Sequence, residues 1–179
     1  MYGAQDLARA FATVRANTIQ IAQDIPEGQY GFRAAPDTRT VAELLAHIAV
    51  APAWAHRVHG EGISFIDFAH FGESMQRQQR AEAALTTKAG IVEALRRDGD
   101  EFAAWLGTMS DQTLAEAVSF PPPIQPSSKT RFEMLLGIKE HEMHHRAQLM
   151  VIERMLGIVP HLTRQRQERA AQRAAVQTS

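Results

Sequence analysis

The sequence predicts an all-α fold, a four-helix bundle with long crossover connections, on three observations. Alanine, leucine, glutamate and arginine are abundant while β-branched runs are scarce, which favours helix over strand. Apolar residues recur at steps of three and four in four separate segments. Two of those segments open on Thr-x-x-Glu, the mark of a capped helix start. Amphipathic helices that cannot each bury a stripe alone pack against one another.

In the first segment Leu7, Phe11, Val14, Thr18, Ile21 and Ile25 share one face, and Pro26 with Gly28 ends it. The second helix begins at Thr40, boxed with Glu43, and runs through VAELLAHIAVAPAWAHRVH to Gly60. Pro52 is a kink or early break within it. The third lies within residues 84–107, where Val92, Leu95, Phe102 and Leu106 share a stripe with Gly99, whose small size lets another helix come close. The fourth follows Thr130 and Glu133 as FEMLLGIKEHEMHHRAQLMVIERML, with Gly157 as its C-cap ahead of Pro160. Residues 63–79 and 119–129 read as connections, long enough to let neighbouring helices run parallel. Residues 163–179 hold four arginines and one glutamate and read as a solvated helix or a frayed tail. The expected organisation is one bundle domain over residues 1–162 followed by this polar tail.

Composition narrows the function. At 179 residues, with 45% hydrophobic and 22% charged residues, the chain can bury a core and is not disordered. A formal net charge of -1 argues against a dedicated nucleic-acid partner. The absence of cysteine removes disulfides, thiolate metal sites and a protein thiol nucleophile. No apolar run reaches the roughly 18 residues of a membrane span, and MYGAQDLARAF lacks a signal peptide's apolar region. A cytoplasmic protein without a membrane partner is the expectation.

Eight histidines stand out, three of them between His141 and His145. His141 and His145 are spaced i, i+4, so on a helix their Cβ atoms lie about 5–6 Å apart and both rings can reach one metal. Chance alone gives about 0.3 such pairs for this composition, so position matters more than spacing. Met134, Ile138, His141, His145, Leu149 and Ile152 form one stripe, which aims both rings at the core. Buried imidazoles need partners, and a metal or a hydrogen-bonded core pair supplies them. His47 shares an inward stripe with Leu44, Ala51 and Trp54 and is the natural third ligand; alone it reads as a satisfied core histidine. Three histidines leave coordination positions open, the pattern of a catalytic site, and imidazole suits zinc or nickel.

Residues 141–145 also match H-E-x-x-H, with Glu142 as the general base of a zinc protease. The extended pattern fails, since Gln148 replaces its glycine and Val151 its third histidine. A downstream glutamate ligand could only be Glu153 or Glu168. Glu142 reads otherwise as a partner that orients a ligand histidine, or as solvated. His144 points about 100° away from His145 and reads as a rim residue or a carboxylate's partner. Arg146 reads as solvated or as reaching the site mouth to pair an acidic substrate group. His56, His59, His70 and His161 read as surface or loop, and Phe102 and Trp105 as core.

TVAELLAHIAVAPAW, Thr40 to Trp54, resembles the second helix of the DinB family of YfiT-like metalloenzymes. HEMHHRAQL, His141 to Leu149, resembles that family's signature on its last bundle helix, usually HHRGQL, with Ala147 in place of the glycine. The stretch MVIERMLGIVPHL is similar as well. The resemblance implies a crossover four-helix bundle, often a homodimer, with His47, His141 and His145 as metal ligands. It implies relatives that include thiol-dependent transferases and a thiol-dependent isomerase.

The expected function is that of a metal-dependent enzyme taking a small-molecule substrate, in which one divalent ion, zinc or nickel, activates a nucleophile. Without cysteine, thiol chemistry requires an external low-molecular-weight thiol, and S-transfer to an electrophile is favoured. Metal-assisted hydrolysis is the alternative, and a non-catalytic metal or ligand sensor, stress-linked, is a third. The sequence assigns no catalytic residue beyond the ligands and no cofactor-binding residue.

Overall fold

The computed structural model describes residues 2–177; Thr178 and Ser179 of the expected tail lie outside the described residues. Eight helices follow in chain order: α1 (Ala4–Asp24), α2 (Val41–Val50), α3 (Pro52–Gly60), α4 (Phe68–Ala84), α5 (Lys88–Leu106), α6 (Asp111–Ala115), α7 (Arg131–Met155) and α8 (His161–Gln177). Between α6 and α7 a small hairpin pairs β1 (Ala117–Ser119) with β2 (Ser128–Thr130) antiparallel, Val118 opposite Lys129.

The bundle is made by α1, the α2–α3 pair, α5 and α7, the four segments whose periodicity marks them as helices. Around its middle Ile21, Leu45, Ile48, Ile91, Leu95 and Leu149 are wholly or almost wholly buried. Towards the start of α1, Leu7, Phe11, Phe102, Leu106 and Leu135 form a second cluster, with Phe11 and Phe102 edge-to-face at 4.9 Å. Both threonine caps close as boxes. The Thr40 N–H donates to Glu43 at 2.7 Å and Thr130 repeats the contact with Glu133 at 2.7 Å. At the far end of α7 the Gly157 N–H donates to Arg154 O and the Ile158 N–H to Glu153 O. That Schellman motif needs the left-handed backbone of Gly157, φ 77°.

A charged pair lies at the centre of the bundle. Arg15 on α1 and Glu142 on α7 are each 2% exposed. Arg15 Nε donates to both carboxylate oxygens at 3.0 Å and its Nη2 to Oε2 at 2.9 Å. The same guanidinium donates to Leu95 O on α5 at 3.0 Å and to Ile48 O on α2 at 3.2 Å. Gly99 serves this side chain: a Cβ there would stand 2.7 Å from Arg15 Cγ.

Several segments depart from the periodicity. Residues 63–79, expected as a connection, contain most of α4, and residues 84–87 precede the third bundle helix, whose cap is Thr87. No residue of α4 is fully buried, and its apolar spacing stops at Phe68, Phe71 and Met75 before a polar run, too short to mark a core-facing helix. The helix expected from Thr40 to Gly60 breaks into two at Ala51, where Pro52 becomes the first residue of α3. The hairpin strands are three residues each, too short to give an alternating signal. The tail forms α8, exposed over most of its length.

His59 and His161, expected at the surface, are buried. His59 Nδ1 accepts from buried Arg131, and burial first, then that arginine, pushes its pKa down to about 4. His161 meets Asn17 Oδ1 at 2.9 Å and Arg164 pairs with Asp24 at 2.6 Å, which fastens α8 to α1. Beneath that contact Glu153 is wholly buried, and neither carboxylate oxygen has a partner. Burial, and then the charge of Asp24, push its pKa up to about 7.

Two predictions follow from these buried charges. Arg15→Met or Glu142→Leu alone strands a charge and should cost about 3–5 kcal/mol in denaturant unfolding, with much of the loss recovered in the double variant. Glu153 holds its proton more tightly folded than unfolded. Its contribution is complete below about pH 4.5 and is lost as pH rises through about 7. Unfolding measured from pH 5 to 8 should show that decline, and Glu153→Gln should remove it. The substitution separates it from His161, whose lowered pKa costs stability on the acid side instead.

Candidate metal centre

His47 stands two turns into α2, and His141 and His145 three and four turns into α7. The structure brings all three together: one ring nitrogen from each lies within 4.8 Å of the other two. His47 Nε2 is 3.0 Å from His141 Nε2, and His145 Nε2 is 3.1 Å from the same atom. No other His, Cys, Asp or Glu group among the described residues converges in this way.

The second nitrogens settle what the convergent ones offer. Glu82 Oε1 on α4 lies 2.7 Å from His47 Nδ1 and, as a carboxylate oxygen, only accepts, so Nδ1 carries a proton and the lone pair of the neutral ring is on Nε2; Gln78 Nε2 lies 2.9 Å from the same Nδ1. Gln78 donates to the same Glu82 oxygen at 2.9 Å and holds it in place. His145 Nδ1 lies 2.9 Å from Gln148 Oε1, so this ring is also protonated on Nδ1. Two lone pairs thus face His141 Nε2, which can donate a proton to only one of them linearly. A divalent cation satisfies all three. The two spacings to His141 are close to the roughly 3.0–3.4 Å between neighbouring ligands around a metal with bonds of about 2.0–2.1 Å. Burial, then the neighbouring His145 and His47, push the His141 pKa down to about 4, and burial first lowers that of His145. Both rings are neutral at pH 7, as ligation requires.

The residues around the trio sort differently. Glu142 is buried on another face of α7 with both oxygens bound to Arg15, so it neither orients a ligand histidine nor serves as a base at this centre. That removes the H-E-x-x-H protease reading. His144 is exposed and meets Gln148 Nε2 at 3.2 Å, a rim position. Arg146 is half-buried with its Nε unpartnered, and its charge acts on His161 rather than on the trio. Glu82 and Gln78 escaped the sequence because α4 itself did.

His47 and His141 form part of the wall of a cavity of about 440 Å³. Trp54, Phe71, Phe120, Ile124, Met134 and Ile138 make it largely apolar, and Lys129, Gln78 and Gln125 supply its polar edge. The hairpin loop positions Phe120 and Ile124, and α4 positions Phe71, so the segments outside the four bundle helices build the approach to the trio.

The chain belongs to the DinB superfamily, whose family model matches residues 10–149. No curated protein matches it. Among solved structures it is similar to a DinB-like protein of Bacillus subtilis, YjoA, at 20% identity and TM-score 0.64, over 85% of this chain and 92% of that one. It is similar to YfiT of the same organism, described as a probable metal-dependent hydrolase with an unusual four-helix bundle topology, at 16% identity and TM-score 0.67, over 87% and 88%. It is also similar to the colibactin self-resistance protein ClbS, solved in complex with double-stranded DNA, at 14% identity and TM-score 0.63, over 86% and 97%. These likenesses show the shared fold.

The Glu82 contact generates a prediction. Glu82→Gln should weaken divalent-cation affinity about 10–100-fold in competition with a chromophoric chelator, while circular dichroism stays unchanged.

Proposed function

We propose that this protein is a metal-dependent enzyme that joins an external small thiol to an electrophile, with His47, His141 and His145 holding one divalent cation, zinc or nickel. The observation that carries the reading is the convergence of three imidazoles, two of them oriented by Glu82 and Gln148, beside an apolar cavity. When bound, the cation supplies Lewis acidity, which makes a sulfur or oxygen nucleophile easier to deprotonate at neutral pH.

The chain's own groups do the rest. Glu82 and Gln148 hold the rings in one tautomer, so no reorientation is needed when the cation or substrate arrives. Trp54, Phe71, Phe120 and Ile138 exclude water and take the apolar body of the electrophile. In the transfer a carbon–sulfur bond forms, the thiol proton goes to solvent, and the leaving group departs with its electron pair. The thiol must come from outside because the chain has no cysteine. A cytoplasmic location, where small thiols are kept reduced, is part of the same proposal.

Hydrolysis is the second reading, supported by the description of YfiT as a probable metal-dependent hydrolase and needing only water as nucleophile. DNA, present with ClbS, is not proposed as a partner: this chain's formal net charge is -1. A homodimer is expected from the resemblance and is tested by light scattering.

Elemental analysis should find about one equivalent of zinc or nickel per chain, lost in His141→Ala and His47→Ala. Metal-loaded protein given an aryl or alkyl halide should then turn over only with added thiol. Turnover without thiol selects hydrolysis, and no metal after incubation with several divalent ions removes both readings.

A further inference from the structure

The three histidines are divided between two cavities. His47 and His141 belong to the apolar one; His145 belongs to a second, of about 410 Å³, which shares no lining residue with the first. Leu44, Val151 and Ile152 make its wall mostly apolar as well, but it adds a pair of opposite charges. The loop ahead of α2 gives it Asp37, Thr38 and Arg39, and α7 gives it Gln148 beside His145.

Arg39 is the informative residue. It is exposed at the mouth and forms no side-chain hydrogen bond or ion pair with any described residue. Arg33, in the same loop, is by contrast held by Thr38 O and by Glu43. A guanidinium on the wall of a cavity that contains a ligand-type imidazole is placed to fix a carboxylate whose other end reaches the centre. Asp37 on the same wall limits the charge that fits: one carboxylate, alone or beside an ammonium group, rather than a polyanion.

We infer that the two reactants reach the three-His centre from opposite sides, and that the second cavity seats the one bearing a carboxylate, with Arg39 determining its specificity. The apolar reactant occupies the cavity of His47 and His141, and a small hydrophilic carboxylate-bearing nucleophile enters past Arg39 and Gln148. The inference rests on the reading of the trio as a metal centre. It goes beyond that reading by assigning the nucleophile's charge and its route.

Cobalt(II)-loaded protein tests it with two thiols of equal length, mercaptoacetate and 2-mercaptoethanol, each titrated while the thiolate-to-cobalt absorption is followed. The quantity read is the ratio of the two dissociation constants, which cancels any effect of a variant on the metal itself. Arg39→Gln should cut the preference for mercaptoacetate about tenfold and leave mercaptoethanol unaffected, whereas Arg39→Lys should keep part of it. An unchanged ratio in Arg39→Gln overturns the assignment while the metal centre stands. If neither thiol perturbs the cobalt spectrum, the thiol reading fails; glycolate and ethylene glycol, followed by the cobalt ligand-field bands, then decide the role of Arg39 by the same comparison. A protein that binds no cobalt overturns both.

Discussion

The buried Arg15–Glu142 pair is the contact on which the rest of this structure depends. Its guanidinium touches all four bundle segments at once: its own α1, the carboxylate of α7, and the carbonyls of Leu95 on α5 and Ile48 on α2. Such a pair adds little net stability over apolar residues of the same shape, since desolvating two charges offsets most of their attraction. What it adds is orientation. An apolar core tolerates rotation of a helix by part of a turn, whereas a guanidinium with four acceptor atoms does not.

That orientation sets the histidine trio. Each residue advances about 100° around a helix, so with Glu142 turned towards Arg15, His141 and His145 fall about 100° and 60° away on one flank, separated by only about 40°. His144 falls about 200° from Glu142, and it is exposed. On α2 the acceptor is Ile48 O, one residue after His47. The same guanidinium therefore fixes the neighbour of His47 and the neighbour of His141, and with them the spacing between the two histidine-bearing helices. The 3.0 Å between His47 Nε2 and His141 Nε2 accords with a contact on the adjoining face of α7.

The bundle helices were legible because each buries a stripe, and burial imposes periodicity. Both capping boxes and the Gly157 stop were legible because they are local chemistry. The histidine trio was legible through stripes on two separate segments. Arg15 and Glu142 are 127 residues apart, and nothing local couples them. A signal was nevertheless present: Arg15 stands four residues after Phe11 and three before Thr18, and Glu142 lies midway between Leu135 and Leu149, all on buried faces. A charge on each of two apolar stripes is a pair waiting to be matched. Helix α4 left no such trace. It buries no residue fully, and Glu82 is recognisable as the partner of His47 only once both are placed in space.

The way the site is held also bears on how it works. Three imidazoles directed at one point, with two protons committed to Glu82 and Gln148, leave lone pairs that repel one another unless a cation stands between them. The surrounding packing, rather than the trio, maintains that geometry: the central pair fixes the helices, and α4 fixes the His47 ring. The cost of assembling the ligands is therefore met during folding and does not have to be drawn from metal binding, which is what distinguishes a preorganised centre from one that forms around its ion. Chelation should then leave the bundle folded with its stability reduced only by the binding free energy, unlike a small zinc domain that unfolds without its metal. If the proposed cation binds here, such a site can lose and regain it and leave positions open to reactants, because the fold does not depend on filling them.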